Sequence, residues 1–400
     1  MSLSRTIIHS NNRWVFLMID CSTVFTQILE FLPYHRFRAL VRQHKSDHKS
    51  QKCTSWNHFV ILLYAQATGK DSLREIEMGL KTNTHFWHHL GIKTVARSTI
   101  AYVNMHRDSV VFEKLFYEMV ARFKDVTADR SLPFTNQIYS LDSTTISLCL
   151  SLCDWAKFRQ AKGAFKLHTL FNNRLRIPEI IHGTTGVVND GAEAKRMTLN
   201  LESGSILVFD RGYPDQAWWM ELDTKGFFFV TRTKKNSRFV VSHQSKVLEK
   251  DILSDDIVWI GDIMNPIYSK EARRVRYLHT EKGELVFITN NFTLKASEIA
   301  LVYKDRWQIE LFFKWIKQNL VIKSFLGTSQ NAIMNQVWIA MIFYLIVAYI
   351  RFQTRYPGSM MELTWVIKES LFVRRHLIEL LSVTKRSIAK ITADEPPTLF

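Results

Sequence analysis

The amino-acid sequence predicts an α/β protein. A mixed sheet is preceded by an all-helical region, carries a β-rich insertion and is followed by C-terminal helices. Three observations support this order. From about Thr23 to Phe123, apolar residues recur at helical intervals. After Leu132-Pro133 the pattern changes to short β-branched and aromatic runs bounded by turn residues. After Asn291, two long segments return to helical spacing.

The first helical segment is "STVFTQILEFL", whose Val24, Phe25, Ile28, Leu29 and Leu32 form one stripe that Pro33 ends. "WNHFVILLYAQATG" is an apolar helix stopped by Gly69. "DSLREIEMGL" opens on Asp71 as an N-cap, with Glu75 in the first turn. After Gly91, "IKTVARSTIAYVNMHRD" offers Ser98 as the cap of a further helix. Two helices around a Gly-containing turn have the outline of a helix-turn-helix, and equally of an ordinary helical hairpin.

In the second region "QIYSLDSTTI" is a strand with Asp142 at its end, and "GAFKLHTLFNN" and "RIPEIIHGTT" form a hairpin turning near Asn172-Asn173. "SILVFD" is apolar throughout, as for a strand buried on both faces, and ends on Asp210. "QAWWMELDTKG" is a helix and "FFFVTRT" another buried strand. Between about Asn236 and Asn291, "RFVVSH", "IVWIGDI", "RRVRYLHT" and "ELVFITN" read as an inserted β unit. Helices follow over about Lys295 to Asn319 and Asn331 to Gln353, then a helical region to about Lys390 and a polar tail. The implied boundaries are an unmatched extension at 1–20 and a helical DNA-binding domain at 21–130. A core at 131–235 and 292–355 surrounds a β insertion at 236–291, and a C-terminal region covers 356–400.

Lys and Arg number 53 against 37 Asp and Glu, a net charge of +16 over 400 residues. That surplus points to a polyanionic partner, because cations that neutralise phosphates release condensed counterions. Cys21, Cys53, Cys149 and Cys153 form no CxxC and match no zinc spacing, so free thiols in a reducing compartment are expected. The apolar run Trp14 to Ile19 is cut short by Asp20 and is not a secretory signal. The run Val337 to Ile350 falls short of the ~20 residues that span a bilayer and reads as a buried helix.

Asp is depleted in strands, yet Asp142 and Asp210 each stand at a strand end, where ligands collect in open α/β sheets. Each could equally cap its own turn. "YKDRWQIELFFKWIKQNL" is more specific. In one helix, Tyr303, Arg306, Glu310 and Lys317 fall within about 60° of one another, with Lys314 and Trp307 beside them. The opposite side carries Ile309, Phe312 and Ile316. Three clustered carboxylates would repel each other, which hard divalent cations relieve.

The spacing Tyr-x2-Arg-x3-Glu-x6-Lys, met by Tyr303, Arg306, Glu310 and Lys317, resembles the signature of the insertion-sequence "four" family of DDE transposases. "LDSTTISLCLS", "KGAFKLHTL", "FDRGY", "FFFVTRTKKN" and "NAIMNQVWIAMI" match in the same order, so the resemblance runs from about Ser22 to Ala348. Where relatives often have His-Asp, this chain has Asn189-Asp190. The resemblance implies an RNase H-like fold with Asp142, Asp210 and Glu310 as catalytic metal ligands. It also implies two Mg²⁺ ions per active site, with Mn²⁺ as the alternative, cutting and joining DNA by in-line attack. Arg306, Lys317 and Tyr303 would hold phosphate near the cut, with Lys314 nearby. Trp307, and Trp259 in the insertion, are candidates to stack on a displaced base, although Trp259 fits core packing better. The basic run Arg232, Lys234, Lys235 and Arg238 suits the DNA backbone. Lys166 and His168 alternate on one strand; if that strand borders the first they could face the cleft, and they could equally form a satisfied surface pair. The partners implied are double-stranded DNA, both terminal inverted repeats and target, and a second copy of the chain. The setting is the bacterial cytoplasm, at the nucleoid. A nuclease on the same fold that does not join strands, or a decayed element that only binds DNA, would share most of these features.

Overall fold

The computed structural model describes residues 22–382 apart from 128–135, 149–156, 160–161, 199, 235–236, 246, 248, 263, 265 and 320–325. The N-terminal extension, Cys21, Cys149, Cys153, Lys235 and the C-terminal tail therefore lie outside the described residues.

The chain begins with α1 (Val24–Glu30), α2 (Tyr34–Gln43), α3 (Ser55–Thr68), α4 (Leu73–Thr82), α5 (Thr84–Trp87), α6 (Arg97–His106) and α7 (Val110–Thr127). Thr23 caps α1 by accepting from the Thr26 N–H. Gly69 closes α3 in the left-handed region at φ 67°. Two caps differ from expectation. Ser72, not Asp71, caps α4 by accepting from the Glu75 N–H, because Ser72 is the last extended residue (φ −137°, ψ 148°). Ala96 occupies the cap of α6 with no side-chain bond, which leaves Ser98 inside the first turn.

The strands are β1 (Ile138–Leu148), β2 (Lys157–Arg159), β3 (Lys162–Asn172), β4 (Ile177–Thr185), β5 (Ile206–Phe209), β6 (Phe228–Arg232), β7 (Phe239–Ser245), β8 (Ile252–Ile260), β9 (Ala272–His279) and β10 (Gly283–Thr289). They form one sheet in the order β2-β3-β1-β5-β6-β10-β9-β8-β7, with β4 also paired to β3. β1, β5 and β6 are parallel neighbours, and the other pairs are antiparallel. The four strands read as an insertion thus continue the core sheet, joined to it where β10 pairs with β6.

Helices α8 (Asp190–Met197) and α9 (Gln216–Thr224) cover one face of this sheet. Leu207 and Phe209 of β5 pack there with Trp218, Trp219 and Met197. Ile206 and Val208 pack on the opposite face with Ile299 and Val302 of α10 (Ala296–Asp305). All four β5 residues are buried, which accounts for the unbroken apolar run.

The expected helix over Lys295–Asn319 is two helices, α10 and α11 (Trp307–Asn319), which meet at Arg306. There the hydrogen bonds tighten: the Arg306 N–H donates to the Tyr303 carbonyl at 3.2 Å, and the Ile309 N–H to the Arg306 carbonyl at 3.1 Å. Tyr303 and Glu310 therefore belong to different helices, and the fourfold stripe does not extend along a single axis.

The last two helices are α12 (Gln330–Thr354) and α13 (Met360–Ser370). α12 is long and apolar enough to cross a membrane, but 89% of its apolar window is buried inside the protein. Trp338, Ile342, Phe343 and Ile346 on α12 share a core with α3 and α7 and with Phe165, Phe171 and Ile181 of the sheet. Each such side chain contributes about 1.5–3 kcal/mol by leaving water. The helices at the two ends of the sequence thereby form one bundle against the β3–β4 end of the sheet.

Candidate active site

Asp142 lies within β1 rather than at its end. The pairing with β5 nevertheless stops one residue earlier, at Leu141 opposite Phe209. Asp210 is the first residue after β5. The two aspartates therefore follow a matched pair at the carboxyl ends of adjacent parallel strands, where β1 continues alone against β3. The Asp210 side chain accepts from the Gly212 N–H at 2.7 Å, and its carbonyl accepts from the Thr231 hydroxyl at 3.3 Å. A Cβ at Gly212 would lie 2.7 Å from Asp210 Oδ1, so a larger residue there would push that carboxylate aside.

Glu310 reaches the same place from α11. Arg306 Nη1 donates to Asp142 Oδ2 at 3.3 Å and to Glu310 Oε1 at 3.2 Å, and Nη2 adds a second bond to Glu310 at 3.2 Å. One guanidinium thus bridges a strand carboxylate and a helix carboxylate. Burial pushes the Asp142 carboxyl up to about 7; the Ser143 N–H and Arg306 oppose that rise, and Asp210 and Glu310 add to it. The Asp210 charge also acts on Tyr303, whose phenol is raised chiefly by burial. All three acids thus act electrostatically on one small region.

Among the described residues, no three His, Cys, Asp or Glu side chains are gathered as a metal-ligand set. Arg306 stands between Asp142 and Glu310 and supplies the positive charge there. The donors themselves fit a hard divalent cation: three carboxylates with no soft ligand among them. Filling such a site requires the guanidinium to turn away.

Lys166 and His168 do lie on the strand bordering β1, but not toward the cleft. They pair with Thr145 and Ser143, whereas Asp142 pairs with Thr169. Side chains alternate along a strand, so Lys166 and His168 project from the opposite face, toward α8. There they converge on Asp190: Lys166 Nζ approaches both carboxylate oxygens at 3.2 Å, and His168 Nδ1 approaches Oδ1 at 3.3 Å. The Ser143 hydroxyl donates to the same Oδ1 at 2.8 Å, while the Ser143 N–H donates to Asp142 Oδ1 at 2.8 Å. Ser143 therefore links Asp142 to a charged cluster behind it. The sequence reading missed Asp190. In the sequence Asp190 looks like an ordinary acid in the first turn of α8, whose cap is Asn189, accepting from the Gly191 N–H.

The expected cations and aromatics divide into two groups. Lys314 and Lys317 are exposed on α11, and Trp307 is 55% exposed with Lys282 Nζ 6.0 Å from its ring centroid. Tyr303 is half-buried, packs at a tilt of 38° against Phe287 with ring centroids 4.9 Å apart, and lies beneath Arg306 at 5.7 Å. Arg232, Lys234 and Arg238 join Arg211 around a pocket floored by Trp219 and Phe239, beside the turn that follows Asp210. Trp259 does not enter the core expected for it: its neighbours Val258 and Ile260 are buried, and it is half-buried opposite Val240 on the other side of β8.

Residues 133–346 match the family model described as the transposase DDE domain, and the chain belongs to that family. It is a DNA transposase, and transposase domains of this kind generally use divalent metal ions. Residues 20–93 match a second family model, described only as a domain of unknown function. A Sinorhizobium fredii protein that carries the name transposase y4zB is 32% identical over 70% of this chain and 78% of its own length. A Geobacillus stearothermophilus protein named for transposition of insertion sequence element IS5377 is 29% identical over 56% of this chain and 60% of its own. A solved synaptic complex of piggyBac transposase with hairpin DNA aligns over 95% of this chain and 87% of its own. At 9% identity and a TM-score of 0.41, that likeness is too loose to carry an argument.

Proposed function

We propose that this transposase moves an insertion sequence by cut-and-paste, with Asp142, Asp210 and Glu310 holding two Mg²⁺ ions against DNA marked by terminal inverted repeats. The observation that carries this reading is the convergence on Arg306 of Asp142, from one strand end, and Glu310, from a helix, with Asp210 next in register to Asp142. A bound pair of such ions activates a water or a 3′-hydroxyl and stabilises the leaving oxygen.

The protein's own groups divide the remaining work. Arg306, already between two acids, exchanges them for a phosphate oxygen when DNA arrives. Lys314 and Lys317 extend from the same helix to the backbone on either side of the cut. Tyr303 and Arg232 border Asp210 and position the strand, and Arg211, Lys234 and Arg238 carry the positive charge onward around their pocket. Exposed Trp307 offers a stacking face for an unpaired base. Two ends must be held together, so the active form is a homodimer acting in the cytoplasm on the DNA of its host.

The test is cleavage and joining of a duplex carrying the element's own ends, with and without Mg²⁺. Asp142→Ala and Glu310→Ala should each lower cleavage by at least about 10³-fold, because residues acting as one unit fail together. Metal-dependent cleavage retained in Asp142→Ala would overturn the triad. Cleavage without joining would leave a nuclease in place of a transposase.

A further inference from the structure

The turn between β3 and β4, expected near Asn172-Asn173, does more than reverse the chain. A turn asparagine ordinarily bonds its own turn, as Asn172 does by accepting from the Leu175 N–H at 3.0 Å. Asn173 is fully buried and reaches outward. Its N–H donates to the Ile138 carbonyl at 3.0 Å, and its Oδ1 accepts from the Ser140 N–H at 2.9 Å. Its Nδ2 donates to Asp305, to the carbonyl at 3.0 Å and to Oδ2 at 2.9 Å. One side chain thus joins β1, two residues before Asp142, to the α10–α11 junction, one residue before Arg306.

Asp305 is held from a second side. Its Oδ1 accepts from Arg176 Nη1 at 2.7 Å, and its side chain is 16% exposed. Arg176 stands in the left-handed region, at φ 61°, which is uncommon for a residue with a side chain. Its carbonyl accepts from the Tyr344 hydroxyl of α12 at 3.1 Å. An acid that served only to open α11 would accept from the free amides of that helix's first turn. Both oxygens of Asp305 instead accept from the β3–β4 turn.

The two bridges between β1 and α11 differ in kind. Arg306 spans Asp142 and Glu310 directly, and it turns away when a cation enters or a phosphate arrives. The Asn173–Asp305 bridge touches neither acid, so it persists through that exchange. We infer that Asn173 and Asp305 are positioning residues that hold the α10–α11 junction against β1 and so set the approach of Glu310 to Asp142 independently of Arg306. The inference rests on the metal-holding role proposed for those two acids.

The test uses the full chain. Mn²⁺ affinity is read from the electron paramagnetic resonance of the free ion, and hydrogen exchange is followed on the metal-free protein. Asp305→Ala should weaken Mn²⁺ binding by about 10-fold. It should also speed amide exchange in peptides spanning residues 303–310. Asn173→Asp, which sets a second carboxylate against Asp305, should do the same. Adding Asp305→Asn to it puts a donor opposite an acceptor again and should return most of the affinity. Parental Mn²⁺ affinity in Asp305→Ala, with or without a lower melting temperature, would overturn the inference and mark the pair as structural only. Parental exchange at the junction would overturn it too, as would a double variant no better than Asn173→Asp alone. Asp142→Ala separates these failures from that of the underlying reading: if it also binds Mn²⁺ as the parent does, the acids hold no metal and both fall.

Discussion

At the residue scale, Asp142, one of the acids proposed to hold metal, is linked to a neighbour that performs no chemistry. Asp190 gathers Lys166, His168 and Ser143 behind the sheet, and Ser143 in turn donates its N–H to Asp142. Removing the charge at Asp190 leaves Lys166 half-buried without its acid and frees the Ser143 hydroxyl. Partners that orient metal ligands are typically worth 10- to 100-fold in affinity or activity. Asp190→Asn should therefore slow cleavage by about 10- to 100-fold, with more of the loss at limiting than at saturating Mg²⁺. A rate within twofold of the parent at both concentrations would show that Ser143 holds its place unaided. Glu310 was legible in the sequence because its helix face mixed an acid, a phenol and cations. Asp142 and Asp210 were legible as residues out of place at strand ends. Asp190 was not, because an aspartate at a helix start is explained by capping, and only the fold brings β3 over it.

At the scale of elements, helix α3 carries a group that makes the bundle sensitive to acid. His58 is fully buried; its Nε2 lies 3.3 Å from Asn104 Oδ1 and its Nδ1 has no partner. Burial, reinforced by the Arg107 charge, lowers its pKa from the ordinary 6.5 to about 3. Above pH 6.5 His58 is neutral in both folded and unfolded chains and stability does not depend on it. As pH falls toward 3 the unfolded chain takes up a proton that the folded chain refuses, so stability declines by up to about 1.4 kcal/mol per pH unit from this group. His58→Gln should flatten the acid side of the stability curve, measured as urea midpoints at pH 7 and pH 4.5. Equal declines in the two proteins would assign the acid sensitivity elsewhere. Helix α3 and the α10–α11 junction together show how far periodicity reaches. The apolar run and Gly69 stop of α3 were readable, but the break at Arg306 was not, since the residues on either side suit one continuous helix. The bond from Arg306 to Asp142 is tertiary and leaves no periodic trace, whereas the bond to Glu310 is a local i,i+4 pair.

At the scale of the molecule, the bundle and the sheet share a core, and their junction is tight. A Cβ at Gly183 of β4 would collide with the Phe165 ring and come within 3.0 Å of Met334 Sδ on α12. Phe165 is fully buried, so its ring has little room to move. Gly183→Ala should destabilise the protein by about 1–3 kcal/mol through overpacking. Because one core joins the two layers, far-ultraviolet and tryptophan signals should shift to lower temperature together. Separate shifts would show that bundle and sheet unfold independently. Fold class, element order and the mixed sheet were all present in the sequence as changes of period. The continuity of β7–β10 with the strands that carry Asp142 and Asp210 was not, because strand pairing over long separations leaves no local mark.

That continuity gives the sheet its span. Nine strands laid side by side at ~4.8 Å spacing form a beam about 40 Å wide, and Asp142 and Asp210 sit near the middle of its span. From β7 and β8 inward, backbone pairing runs strand to strand up to β5 and β1, with register shifts at Val241/His243 and Ile252/Ser254. The outermost strands and the carboxylates are thus parts of one continuous paired sheet.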